Sequence, residues 1–296
     1  MQKSRIIGVR ILSIYAVLIA AAVVFVLNVS RPSAPTPIGP TLAAPLHATL
    51  TLATLNLWHD YPHYSLQQER LEAAQLLLQE LSPDLLCLQE ASRTPVVDHA
   101  AAALASGLET TGVYARANGN RNLIRFEEGE AVLARGGLVD SAALELRPRA
   151  GFFEHRLALW VTVETEAGPV VVFSTHLTNQ GATVNAAQLG SLVDLVEHQR
   201  HGLPAVVSGD FNAQEDAPQM RALPEHWRDA FREVQPEAPG ATSPDSGRRI
   251  DYIFLVDGDT AHWEILEVGI FGANAEGAAI SDHLGVWARV TLVAGD

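Results

Sequence analysis

An α/β domain of packed sheets with helices outside is the fold class this sequence predicts, and three observations predict it. Nine short segments carry the alternating or continuously apolar pattern of strands, and two segments of helical periodicity are interleaved with them. Of the 296 residues 48% are hydrophobic, enough to bury a sizeable core. A single cysteine excludes a disulfide scaffold, and the apolar content excludes a disordered chain.

The chain begins with an element of a different kind. Residues 11–29 run for 19 positions without a charge, following Lys3, Arg5 and Arg10. At about 1.5 Å per helical residue the stretch nearly spans a ~30 Å hydrocarbon layer. It is longer than the usual core of a signal peptide, and no clear A-x-A cleavage site follows. The leading reading of residues 1–29 is a retained signal anchor, one N-terminal transmembrane helix. A cleaved signal peptide and a buried core helix are the alternatives. Basic residues on the short N-terminal side place that side in the cytoplasm, so the body is expected outside it, on a single-pass membrane protein. The lone Cys87 fits an oxidising compartment without proving one. Prolines 32, 35, 37, 40 and 45 mark residues 30–47 as an extended, semi-rigid linker that holds the body off the bilayer. With no internal repeat and no second linker, residues 48–296 form one domain.

Within the body, residues 49–57 alternate Leu and Thr with period two, as a half-buried strand does. Ser65 and Gln68 make a capping-box pattern, and Leu66, Leu71, Ala74, Leu77, Leu78 and Leu81 recur at helical spacing until Ser82-Pro83-Asp84 stops them. Residues 85–88 form a short apolar run that delivers Gln89 and Glu90 at its end. Further strands are expected at 131–134, 157–163, 170–174, 205–208, 250–256, 264–270 and 284–292, with a second amphipathic helix at 185–198.

Charge narrows the partners. Residues 1–47 hold four basic residues and no acid, so residues 48–296 carry 16 Arg against 34 acids, a net of −18. Such a body is ill suited to holding long nucleic acid through a broad basic surface.

The polar residues with chemical potential collect at predicted strand ends: Asn56, Glu90, His176, Asp210, Asn212, Asp251, Asp282 and His283. Singly each has an ordinary explanation, as a turn residue, a solvated acid, a half-buried histidine or an Asx-turn. Asp251 resists most, because it puts a carboxylate among apolar residues entering a strand.

Taken in order, Asn56-Leu57, Gln89-Glu90, Thr175-His176-Leu177, Gly209-Asp210-Phe211-Asn212, Arg249-Ile250-Asp251-Tyr252-Ile253 and Ser281-Asp282-His283 give a chain that resembles the endonuclease/exonuclease/phosphatase superfamily over residues 49–292. The resemblance implies a four-layer α-β-β-α sandwich, two mostly antiparallel sheets packed face to face and flanked by helices. It also implies a phosphoesterase that hydrolyses a phosphate ester by metal-assisted attack of water. Oxygen ligands suit a hard cation, Mg²⁺ or Mn²⁺. Glu90 is then the principal metal ligand, with Asn56 and Asp282 beside it. Asp210 and Asn212 face the scissile phosphate, His176 donates to a non-bridging oxygen, and Asp251 orients His283 as a dyad. Either Asp210 or His283 is the formal base. Glu128, with Glu130 as the other choice, matches the glutamate that pairs with the histidine in some members, and Arg156 matches a phosphate-contacting arginine.

The substrate is left open. Residues 110–156 hold Tyr114, Arg116, Arg121, Arg125, Arg147, Arg149, Phe152 and Phe153, a mixture suited to a nucleic-acid strand, to a lipid headgroup at an interface, or to a solvated edge. A membrane-tethered enzyme of lipid headgroups or small phosphoesters is the first reading. An extracytoplasmic DNase is the second, and a non-catalytic binding domain a remote third. The expected partners are the phosphoester substrate and, through the anchor, the membrane; no protein partner is inferable.

Overall fold

In the computed structural model of the chain, residues 2–29, 31–272 and 280–295 are described, with side chains from residue 13 onward in the first of these. The elements run α1 (Gln2–Val29), β1 (Thr36–Ile38), β2 (Thr49–Asn56), α2 (Gln67–Leu81), β3 (Leu85–Arg93), α3 (Ala100–Gly107), β4 (Thr111–Asn120), α4 (Arg121–Ile124), β5 (Phe126–Ala134), β6 (Leu138–Glu145), β7 (Leu157–Thr165), β8 (Gly168–His176), α5 (Ala182–Gln199), β9 (Ala205–Asp210), α6 (Pro218–Arg221), β10 (Trp227–Asp229), α7 (Ala230–Val234), β11 (Asp251–Val256), β12 (Ala261–Phe271) and β13 (Gly285–Ala294).

Two β-α-β units lie at the centre. Strands β2 and β3 pair in parallel across α2, and β8 and β9 pair in parallel across α5; every other strand pair is antiparallel. One sheet has the order β1-β4-β5-β3-β2-β13-β12 and the other β10-β11-β9-β8-β7-β6. The period-two pattern of the strands explains the layering. Along β2, Leu50 and Leu52 enter the core between the sheets, while Ala53 and Leu55 pack with Leu71, Ala74 and Leu78 of α2. Along β9, Val206 enters the same central core, while Ala205 and Val207 pack with Leu189, Leu192 and Val196 of α5. Each fully buried leucine of this kind stabilises the fold by roughly 1.5–3 kcal/mol. The layers are therefore α-β-β-α.

This topology brings the strand ends together. The parallel pairs put the C-terminal ends of β2, β3, β8 and β9 at one edge of the sandwich. Their antiparallel neighbours β5, β7, β11 and β13 begin at that same edge, with Asp251 opposite Asp210 and Ala158 opposite Thr175.

Three local expectations are corrected. Helix α2 starts at Gln67 after a left-handed Leu66 (φ 49°), and Ser65 caps nothing. Instead the Ser65 amide donates to Asp60 and its carbonyl accepts from Arg70, which turns the chain before the helix. The second correction concerns Tyr114, which is buried in the core with its ring against His99 and so is closed to a stacking base. The third concerns the expected linker, whose residues 31–47 are bound along the domain. Thr36–Ile38 add an edge strand to β4, Ser33 exchanges hydrogen bonds with Arg116, and Leu46 is buried beside Glu164.

The N-terminal segment is helical, as α1, and its apolar side chains Ile14, Val17, Leu18, Ile19 and Val24 are exposed. Among the described residues no helix is long and apolar enough to cross a membrane. The transmembrane span expected at 11–29 begins before the residues to which this applies, because the side chains of residues 11 and 12 lie outside those described.

Candidate active site

Each polar residue at the catalytic edge is held by the strand that ends or begins there. Asn56 closes β2 and is buried. Its Oδ1 caps the Trp58 amide at 3.0 Å, and its Nδ2 reaches Asp210 Oδ2 at 3.2 Å and Glu90 Oε1 at 3.5 Å. Glu90 sits on a bulge of β3 with a left-handed backbone (φ 51°), which turns its carboxylate out of the strand alternation and into the edge. There it accepts from the His59 amide at 3.1 Å and lies 3.4 Å from His59 Nε2. Asp282 lies at the mouth of the site on a loop anchored by Ser281, whose hydroxyl donates to the Asn56 carbonyl at 2.7 Å. Partial burial raises the Asp282 carboxyl above its ordinary value, and the Glu90 charge adds to this, although His283 opposes it.

Glycine is required beneath Asp210. Gly209 has φ 144°, and a Cβ there would lie 1.9 Å from the Thr175 carbonyl oxygen of β8. The close approach of β9 to β8 sets Asp210 beside His176, with Nε2 3.3 Å from Oδ2. Gly209→Ala is expected to lower stability by ~3 kcal/mol or more through this backbone clash, read as a fall in denaturation midpoint.

Arg156 donates to His176 Nδ1 at 3.2 Å and is itself held by Glu154 at 3.3 Å. An arginine can only donate, so Nδ1 is the acceptor and the proton of the neutral imidazole sits on Nε2, aimed at Asp210. Burial keeps His176 neutral, well below its ordinary range, and the charges of Arg156, His283 and His59 add to this. Asn212, with φ 49°, donates its amide to Asp210 Oδ1 at 2.8 Å and its side chain to the Leu177 carbonyl at 2.9 Å and Asp210 Oδ2 at 3.2 Å.

His283 stands between two carboxylates. Its Nδ1 is 2.9 Å from Asp251 Oδ2, and its Nε2 is 3.7 Å from Asp210 Oδ2. The three groups offer donor atoms within 4.8 Å of one another and are buried. Burial pushes Asp210 up to about 7, helped by the Asp251 charge. For His283 burial works downward, but the Asp251 hydrogen bond and the charges of Asp251, Asp210 and Asp282 carry it to about 10.

Glu128 and Glu130 occupy different depths. Glu128 accepts from Asn118 and feels Arg156 and His59 across the edge, while burial raises its carboxyl. Glu130 lies one layer deeper, accepting from Ser174 at 2.9 Å in a chain that continues through Gln89 to Thr54 and joins the two sheets. Burial holds Glu130 well above the ordinary carboxylate range. Neither glutamate is bonded to His176, whose partners are Arg156 at Nδ1 and Asp210 at Nε2.

All ten residues singled out in the sequence therefore lie at or border this edge. Sequence reasoning missed four others. His59 fills the space beside Glu90 with its ring 4.9 Å from Phe126. Arg70 of α2 binds the Leu57, Trp58, Ser65 and Ile280 carbonyls and lies over the Trp58 ring, fixing the loop after β2. Asn118 joins Glu128 to the His155 backbone, and Glu154 holds Arg156. Arg70 had a signal: a charge set among the apolar positions of a helix.

Glu90 and Asp282 offer two carboxylates at a partly open edge, and these fit a hard divalent cation, while the Asn56 side chain turns its Nδ2 toward Glu90 and its oxygen to the Trp58 amide. The fold and the edge define a class, an α-β-β-α sandwich with a strand-end site of carboxylates, amides and imidazoles. The chain belongs to the Endonuclease/Exonuclease/phosphatase family, whose profile matches residues 53–283. Among solved structures it is similar to an endonuclease/exonuclease/phosphatase from Beutenbergia cavernae, with 24% identity, a TM-score of 0.64, and coverage of 83% of this chain and 72% of that one. It is similar also to a humanized D. rerio TDP2 carrying 14 mutations, with 15% identity, a TM-score of 0.67 and coverage of 82% and 99%. A functionally unknown conserved protein from Enterococcus faecalis shares 19% identity, with a TM-score of 0.63 and coverage of 82% and 99%. These likenesses carry the fold. None of the curated proteins compared with the chain matches it.

Proposed function

We propose that the chain is a divalent-metal-dependent hydrolase of phosphate esters, tethered by its N-terminal helix with the catalytic domain on the extracytoplasmic side. The observation that carries the hydrolytic reading is the line Asp251–His283–Asp210, set beside the Glu90 and Asp282 carboxylates and the Asn56 amide. Lys3, Arg5 and Arg10 before an uncharged stretch support the tether.

Glu90 and Asp282 would hold the cation, with Asn56 steadying Glu90 through its Nδ2, and the cation would supply charge neutralisation at a phosphoryl oxygen. Mg²⁺ and Mn²⁺ both suit the donors. Asp210 accepts the proton of the attacking water, because it loses its own near neutrality while His283 keeps its proton far above it. His283, held by Asp251, then donates to the phosphoryl oxygen as an imidazolium. His176 offers its Nε2 proton, and Asn212 and Arg156 complete the polar wall. Glu128 acts through Asn118 and the His155 backbone.

A pH consequence follows. The active form needs Asp210 ionised and His283 protonated, so turnover should rise as pH passes about 7 and fall as it passes about 10. Both folded values are raised, so the sign for stability is the same for both groups. The Asp210 contribution is complete below 3.8 and is lost as pH rises through about 7. The His283 contribution is complete below 6.5 and is lost as pH rises through about 10. A pH–rate profile and a pH series of denaturation midpoints check the two limbs.

The function itself is tested with the full chain in detergent, offered bis-p-nitrophenyl phosphate, phospholipid and plasmid DNA, each with Mg²⁺, with Mn²⁺ and with a chelator. Hydrolysis that chelation abolishes supports the reading; no hydrolysis of any of the three overturns it. The lipid headgroup or small phosphoester is the first substrate reading. The nuclease reading draws on Arg121, Arg125, Arg147 and Arg149 with Phe152 and Phe153 in loops of this edge.

A further inference from the structure

Three loops leave the catalytic edge on one side: residues 57–66 after β2, the α4 connection between β4 and β5, and residues 146–156 between β6 and β7. Each carries large apolar side chains in water. Tyr61 is 52% exposed and Leu66 68%, Leu123 45% and Ile124 38%, Phe152 59% and Phe153 58%. Among the described residues beyond α1, Tyr61, Phe152 and Phe153 are the only large exposed aromatics, and all three are here. An apolar group left in solvent costs little singly, but six around one site form a surface that a partner is expected to cover.

Charge on the same loops points to the partner. Arg121, Arg125, Arg147 and Arg149 lie there on a domain otherwise strongly acidic; Arg147 and Arg149 share Glu145, Arg121 pairs with Asp98, and Arg125 is exposed with no acid beside it among the described residues. Arginine beside exposed Phe, Leu and Ile is the composition of a surface that lies in the headgroup layer, with apolar groups inserted and guanidinium groups on phosphates. Leu66, Leu123 and Ile124 have no face on which a base could stack, which weighs against a nucleic-acid strand.

A second observation orients the molecule. The exposed apolar helix α1 ends at this same edge. Asn120 Nδ2 donates to the Asn28 carbonyl at 3.3 Å, and the Asn120 side chain caps α4 by accepting from the Asn122 and Leu123 amides. Two residues before Asn120, Asn118 bonds Glu128 of the site. The Arg116 guanidinium holds the Arg31 carbonyl at 3.0 Å just beyond the helix. One short segment, residues 116–124, therefore ties the apolar helix, part of the apolar rim and the catalytic edge together.

We propose that the catalytic edge is the membrane-facing surface of this protein and that its substrate is the phosphodiester headgroup of a lipid still held in that membrane. The rim of Tyr61, Leu66, Leu123, Ile124, Phe152 and Phe153 enters the interface, and the site opens directly onto the headgroup layer. The inference rests on the hydrolytic reading above, and its test separates the two.

The full chain is reconstituted in vesicles of phosphatidylcholine and phosphatidylglycerol. A Phe153→Cys variant carries an environment-sensitive fluorophore, which Cys87 does not take because it is buried. A Leu266→Cys variant, exposed on β12 at the far end of the sheet order, is the control. The expected result is a blue-shifted probe at 153, quenched by lipids brominated in the acyl chain, and a probe at 266 that stays in water. Equal, unquenched signals at the two positions would overturn the proposal, as would protection of the 153 probe by single-stranded DNA without lipid. In parallel, Leu123→Ser with Ile124→Ser should lower hydrolysis of vesicle phosphatidylcholine about tenfold or more while leaving bis-p-nitrophenyl phosphate turnover unchanged. An equal loss on both substrates would overturn it too. Failure of the unaltered chain on the soluble diester, phospholipid and plasmid DNA alike removes the hydrolytic reading instead, and the probe still reports on docking.

Discussion

Glu90→Gln is expected to lower turnover by roughly 10²–10⁴-fold, the equivalent of the several kcal/mol that a bound cation contributes to a phosphoryl transition state. Glutamine has the same shape and can keep the left-handed bulge and the contact with the His59 amide, so the fold should persist. What it lacks is the charge. Beside Asp282, a neutral side chain leaves one carboxylate where two stood, and divalent affinity should fall with the rate. Titrating Mg²⁺ or Mn²⁺ by calorimetry, alongside activity and a melting curve, checks both. Near-normal turnover at saturating cation would remove Glu90 from the site.

Asp251→Asn and His283→Ala should each lower turnover by about 10²–10⁴-fold, the range of a positioned acid–base group, and the double variant should lose little more than either. The substituted asparagine can still hydrogen-bond the ring, but it cannot balance an imidazolium, so the loss should appear in turnover more than in substrate binding. A structural alternative has Asp251 anchoring its strand to Arg248 or Arg249. The contacts disfavour it: Arg249 binds Asp229 at 2.6 Å and Glu215 at 2.5 Å, and Arg248 binds Ser246. Rates and melting temperatures of the four forms decide, and additive rate losses would dissolve the dyad.

The site was largely legible before any coordinates, for a physical reason. A polar residue at the end of an apolar strand, such as His176 after residues 170–174, stands out against its neighbours and is placed by the strand itself. What escaped was set by tertiary contact. Strand β4 contains two glycines and two asparagines and is held by pairing between β1 and β5, not by its own propensity. Strand β6 lies at a sheet edge, and its mixed exposure hides the period of two. His59 and Glu154 sit in loops, where no periodicity marks a functional side chain. Tyr114 misled for the opposite reason: an aromatic among arginines suggests an open binding surface, yet the strand turns it inward. The bound course of residues 31–47 was equally hidden, because proline content predicts extension but not what the extended chain lies upon.

That bound segment bears on how this protein can be processed. Because Thr36–Ile38 supply the outermost strand of the larger sheet, a cut near residue 30 and a cut near residue 45 are not equivalent. The first releases a domain whose sheet edge is still covered. The second strips the cover from β4, baring a row of backbone amides and carbonyls that can recruit the same row on another copy. A truncated form that stays monomeric should therefore begin before Thr36, and one trimmed past Ile38 should self-associate through β4.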